Sequence, residues 1–172
     1  MKRSLATLSV AGLLLVGCAA GTPSTAAVVN GTSVSESEVT RWASGCAPAF
    51  QASAASVRPS MVNAALQGAL ADTIAASKNI TITDADRVRG AGAMQDADLL
   101  MADPDCTDAV LAVSSLIFVA DKLGTEAFTQ AIAEAQVEVN PRYGTWSAAS
   151  VGLSGASGSL SATDPDFQVV GG

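Results

Sequence analysis

AVVNGTSVSESEV, residues 27–39, decides how the rest of the chain is read. Ala27, Val28 and Val29 suit a short strand, Asn30-Gly31 supplies the positive φ angles that a two-residue hairpin turn demands, and Val34 continues on the return side. A helix should follow at once. Ser35 can accept a hydrogen bond from the N–H three residues on while Glu38 reaches back, the reciprocal pair of a capping box. The strand still needs a partner, and the best candidate lies far downstream at Val137-Glu138-Val139, just before Asn140-Pro141-Arg142-Tyr143-Gly144. The expected fold is mainly α, a single domain of about five helices closed by a small β ribbon that pairs the N-terminal strand with the C-terminal one.

Between the two strands the apolar pattern is helical. Val39, Trp42, Ala43 and Cys46 fall at i, i+3, i+4 and i+7 of a first helix that begins at Glu36 and runs to Gly45 or beyond, so they share its core face. Trp42 on such a stripe reads as packing rather than as a ligand platform. Residues 47–59 hold two prolines among Ser and Ala and read as a loop. A second helix spans Ser60 to Lys78, with Val62, Leu66, Leu70 and Thr73 or Ile74 as its buried stripe and Ala65 and Ala69 allowing close approach. Ile80-Thr81-Ile82 reads as a short β-like connector. Thr83 and Asp86 form another capping box ahead of a third helix, Asp84 to about Met101, whose Gly90 and Gly92 each cost about 1 kcal/mol in a helix interior. Asp103-Pro104 is a clean start for a fourth helix, an N-cap acceptor followed by a proline whose missing N–H is harmless there, and Gly124 is its stop. Its apolar residues cover most of its circumference, which predicts a central, surrounded helix. Thr125 caps a fifth helix with Phe128, Ala131, Ile132 and Ala135 on one face.

The ends carry the address. Met1-Lys2-Arg3 is a basic start and Leu5 to Gly17 an apolar run well short of the ~20 residues that a membrane-spanning helix needs, so residues 1–17 read as an export signal. The run ends in Leu15-Val16-Gly17-Cys18, which closely resembles a bacterial lipobox. In that reading Cys18 becomes the first mature residue and carries the acyl chains. Each buried CH₂ contributes about 0.8 kcal/mol, enough for two chains to hold the protein on the extracytoplasmic face of the cell membrane. Residues 18–26 then form a flexible tether, 27–146 the domain, and 147–172, rich in Gly, Ser and Ala, a mobile tail in which Phe167 to Val170 is an apolar exception that can dock.

Charge and cysteines narrow the function. Loss of Lys2 and Arg3 leaves 7 basic against 16 acidic residues, a net −9 that disfavours nucleic acid and close apposition to an anionic bilayer. Of three cysteines one is assigned to the lipid, and the even pair Cys46 and Cys106 in an oxidising compartment is the arithmetic of a structural disulfide. The chain has no histidine, which removes the commonest general base and most zinc sites. Asp84/Asp86, Asp96/Asp98 and Asp103/Asp105/Asp108 lack the oxygen alternation, central Gly and closing Glu of a calcium loop, and they suit helix starts better. A carboxylate hydrolase would need two of them to converge in a cleft. No metal, no cofactor and no enzymatic activity are expected.

Taken together, Val28-Val29-Asn30-Gly31 with the capped helix behind it and Val137-x-Val139-Asn140-Pro141-Arg142-Tyr143-Gly144-x-Trp146 at the far end resemble the N-terminal domain of SurA/PrsA-type envelope chaperones. More narrowly, the chain is similar to short lipoproteins of actinobacterial type that carry only that domain. The resemblance covers Ala27 to Trp146 and implies a helical fold with paired terminal strands and a role in binding unfolded or maturing exported proteins. It does not extend to the parvulin prolyl isomerase domain of longer members, so isomerase activity is not implied. Within the motif Pro141 fixes the chain as it leaves the strand, Tyr143 and Trp146 can cover the sheet edge, and Arg142 can pair with an acidic residue of the first helix. The expected function is a lipid-anchored, chaperone-like module; the alternatives are a structural or adaptor lipoprotein that recruits one envelope partner, and a motif that only closes the fold.

Overall fold

A computed structural model describes residues 22–155. The leader, Cys18 and the Phe167–Val170 segment lie outside the described residues. Strand β1 (Thr25–Val29) and strand β2 (Thr32–Ser35) form a hairpin whose turn residues Asn30 and Gly31 have φ of 47° and 82°. Those angles match the right-handed twist of the strands and suit Asn-Gly. Strand β3 (Val137–Val139) adds antiparallel on the other side of β1, pairing Ala27 with Val139, Val28 with Glu138 and Val29 with Val137, so the sheet order is β2-β1-β3. The two ends of the domain meet as the sequence predicts.

Helix α1 (Glu36–Cys46) is capped by Ser35, whose oxygen accepts from the Glu38 N–H at 3.2 Å. Its inner face is Val39, Trp42, Ala43 and Cys46, all buried. Helix α2 (Ala54–Lys78) starts well before Ser60 and carries Pro59 in its interior, correcting the loop assigned to residues 47–59. Ser53 caps it by accepting from the Ser56 N–H at 3.2 Å. The proline removes only the bond its N–H would have made to Ala55, and burial of Val57, Met61 and Val62 outweighs that loss. Helix α2 ends on Asn79, left-handed at φ 56°. Residues 80–82 form no strand, contrary to the β-like connector expected there.

The third expected helix is two. Helix α3 (Asp84–Gly92) has the full capping box between Thr83 and Asp86, whose carboxyl is held below its usual range by the Thr83 hydroxyl and N–H. A turn then leads through Asp96, left-handed at φ 58°, into the single turn α4 (Ala97–Leu100). Helix α5 (Pro104–Leu123) begins and ends as expected, with Asp103 accepting from the N–H groups of Asp105 and Cys106. It packs against α1, α2, α3, α4 and α6, which makes it the central helix, although Ile117 faces solvent. Helix α6 (Thr125–Glu134) is preceded by Gly124, which takes the N-cap position assigned to Thr125.

Small residues set the helix spacing. A Cβ placed on Gly68 of α2 would come 2.8 Å from the Ala112 Cβ of α5, and one on Gly90 of α3 would come 3.1 Å from the Ser114 Cβ. Gly90 therefore offsets its helix cost by letting α3 lie against α5, where the buried Ser114 hydroxyl donates to the Arg87 carbonyl at 2.7 Å. The folded region is also longer at both ends than the sequence reading allowed. Thr25 and Ala26, assigned to the tether, are buried in β1. Strands β4 (Thr145–Ser147) and β5 (Gly152–Ser154) form a hairpin that runs from the end of the expected domain into the expected tail. That hairpin rests on α2 through Gln67 Nε2 to the Val151 carbonyl and the Leu153 N–H to Asn63 Oδ1, both 3.2 Å.

Candidate functional site

The motif residues converge on the ribbon. Asn30 ends β1 and stitches the start of β3: its N–H donates to the Gln136 carbonyl at 2.8 Å, and its Oδ1 accepts from the Gln136 N–H at 2.8 Å. Asn140 does the reciprocal work at the opposite end, its N–H donating to the Ala26 carbonyl at 2.9 Å and its Nδ2 to the Thr25 carbonyl at 3.2 Å. One asparagine thus locks each end of the short ladder. Pro141, Arg142 and Tyr143 then turn in a 3-10 segment that Gly144 ends at φ 96°. Trp146, in β4, is half-buried and packs against the core cluster.

Glu36 ties this turn to α1. Its carboxylate is only 13% exposed; it accepts from the Tyr143 hydroxyl at 2.8 Å and Arg58 Nη1 at 3.2 Å on Oε2, and Arg142 faces Oε1. The Arg142 guanidinium, bonded to that carboxylate, titrates above its ordinary range, and it also lies 4.9 Å from the centroid of the Tyr143 ring. Pairing of Arg142 with the first helix was legible beforehand. Arg58 was not, because its stretch read as loop. These motif side chains spend their hydrogen bonds on closing the fold.

The space for a ligand is elsewhere, on the β2 side of the sheet. A groove of about 600 Å³ lies between β2, α1, α2, α3 and α5. Buried Trp42, Ala65 and Ser115 line its depth, while Thr32, Ser33, Asp72 and Asp108 are exposed at its mouth. Gly68, Ala69 and Ala112 form part of its wall. Two donors on its lining residues, Trp42 Nε1–H and Arg87 Nε–H, are buried without an acceptor among the described residues.

The edge of β2 borders the groove and is paired with nothing but β1 among the described residues. Val29 and Thr32 flank the two-residue turn and exchange hydrogen bonds, so at the next position, Ser33 opposite Val28, the N–H and C=O face the open edge. Arg41 bridges Asp105 at 3.0 Å and Asp108 at 3.2 Å beside the groove mouth. With Asp103 acting as a helix cap, each acid of the 103/105/108 run has a structural partner. Among the described residues no cluster of acids and cysteines is placed to hold a metal ion, and no helix is long and apolar enough to cross a membrane.

Cys46 and Cys106 are bonded, Sγ to Sγ at 2.08 Å, joining the last residue of α1 to the first turn of α5. No protein-family model, curated protein or solved structure matches the chain. The groove was not legible in the sequence, since it is formed by small residues on separate elements that share no local pattern.

Proposed function

We propose that this chain is a lipid-anchored, chaperone-like module that holds extended segments of unfolded or maturing exported proteins, with no isomerase activity. The observation that carries this reading is the open edge of β2 running beside a groove of about 600 Å³. An extended polypeptide can add to such an edge through its main chain, which is indifferent to sequence, and drop alternate side chains into the neighbouring groove. The volume lies within the range of about 300–1,000 Å³ typical of ligand pockets. Of the acids lining the groove, Asp72 is paired with Arg87 and Asp108 with Arg41, so charge gives the groove little preference between basic and acidic segments. The export address rests on the lipobox-like Leu15-Val16-Gly17-Cys18, with Cys18 as the acylated residue.

The test is suppression of light scattering by an aggregating model client, compared between the unaltered domain and Ser33→Pro. A proline there removes the edge N–H while sparing the β1 ladder, so suppression should fall with far-UV circular dichroism and melting temperature unchanged. Absence of suppression by the unaltered protein at stoichiometric amounts would sink the reading. Recovery of one dominant partner from crosslinked membranes would replace it with the adaptor alternative. The mature protein should also carry acyl mass that Cys18→Ala abolishes.

A further inference from the structure

A second, smaller cleft lies over the disulfide and shares no lining residue with the groove. Its volume is about 170 Å³, and its walls are mainly apolar: Met61 and Ala64 of α2, Met94 and Leu100 from the α3–α5 connection, and Val113 of α5. Phe50, 51% exposed, stands at its rim. A cavity of about 150 Å³ lined by apolar side chains is enough to take a benzene ring, so this cleft is one aromatic ring in size.

The chain itself supplies such a ring. Asn63 and Gln67, which line one side of the cleft, are also the two residues that hold the β4–β5 hairpin, through the Leu153 N–H and the Val151 carbonyl. The last described residue, Gly155, therefore lies two residues beyond a backbone contact with Asn63 of the cleft's lining. Phe167-Gln168-Val169-Val170 follows after the spacer 156–166, whose eleven residues are small or polar apart from Leu160 and span at most about 40 Å when extended. A segment tethered this closely is present at an effective concentration in the millimolar range, so a weak apolar contact suffices to populate it.

We propose that Phe167 docks in its own chain's cleft above the Cys46–Cys106 bond, with Val169 and Val170 lying along the rim at Phe50. Docking in cis covers the apolar surface that Phe50 and Met94 would otherwise present, and it engages a site separate from the groove beside β2.

The experiment replaces Phe167 with the photoreactive analogue benzoylphenylalanine in the full chain, irradiates at low protein concentration, and maps adducts by peptide mass spectrometry. Adducts within one chain to the peptides carrying Phe50, Met61 or Met94, with a yield independent of protein concentration, support the proposal. Met94→Asp, at a half-buried rim position, should reduce that yield. Crosslinked dimers whose yield rises with concentration would assign the cleft to a second copy and overturn it. Adducts elsewhere, or none, would overturn it as well. As an independent readout, Phe167→Ser should raise the fluorescence of a bound apolar dye at unchanged melting temperature, and no rise counts against docking.

Discussion

Glu36 is the first residue of α1, where the exposed N–H groups of a helix favour a negative charge, and it is also the side chain on which the closing turn depends. Its burial would be costly for a lone carboxylate, but Tyr143, Arg58 and Arg142 each supply a donor or a positive charge. Because Tyr143 is 5% exposed, its hydroxyl has no ready alternative in solvent. Tyr143→Phe should therefore lower stability by about 1.5 kcal/mol, the low end for a hydrogen bond to a charged group. Glu36→Gln, which leaves two guanidinium groups without their counter-charge, should cost more, about 2–3 kcal/mol. Urea unfolding of the two variants checks both. Equal midpoints for Tyr143→Phe and the unaltered protein would mean that the hydroxyl is not engaged. At this scale the sequence showed which residues matter at the closure but not how they act: Asn30 and Asn140 read as turn chemistry, whereas their side chains also stitch each strand end to its partner.

At the scale of elements, start and stop signals were legible where one local rule applied, and failed where packing overrode it. Asp103-Pro104 and Gly124 bound α5 as expected, because cap chemistry and the proline act within a single turn. Pro59 misled, since a proline at the sixth position of a helix costs one backbone bond while the first two turns of α2 are anchored by Val57 and Met61 against the core. Glycines carry the same lesson with opposite sign. Gly68 and Gly92 look alike in sequence, each an unfavourable residue in a helix, yet a Cβ would meet Ala112 at Gly68 and nothing within 4 Å at Gly92. Replacing either with Ala gains up to about 1 kcal/mol of helix propensity. At Gly68 this is offset by overpacking, which costs about 1–3 kcal/mol, so Gly68→Ala should be neutral to destabilising. Gly92→Ala should be stabilising by up to ~1 kcal/mol. Thermal melts of the pair decide it: a stabilised Gly68→Ala would show that α2 and α5 do not approach as closely as described.

For the whole molecule, the pairing of distant strands was readable because both ends carry turn-forming residues next to short β-branched runs. The β4–β5 hairpin was not, because its strands are only three residues long, its apolar pair Trp146 and Leu153 is set among Ser, Ala and Gly, and its position depends on Asn63 and Gln67 from another element. One covalent bond spans the part of the chain in between. Cys46 and Cys106 lie 60 residues apart in sequence, and the loop that they close contains all of α2 and α3. Constraining a loop of that length in the unfolded chain contributes roughly 4 kcal/mol by the entropy model. Both cysteines are buried, at 1% and 0% exposure, so replacing them with Ala leaves no unpaired polar group, and the loss should come mainly through the unfolded state. The double variant Cys46→Ala/Cys106→Ala should unfold at a much lower urea concentration while keeping its helical circular dichroism in water. Burial also sets the kinetics. Although the cleft lies above the bond, the two cysteines are almost inaccessible to solvent, so reduction of the native protein should be slow and should accelerate in step with unfolding as urea is added. Rapid reduction in the absence of denaturant would mean that the α1–α5 contact opens on its own, without unfolding of the domain.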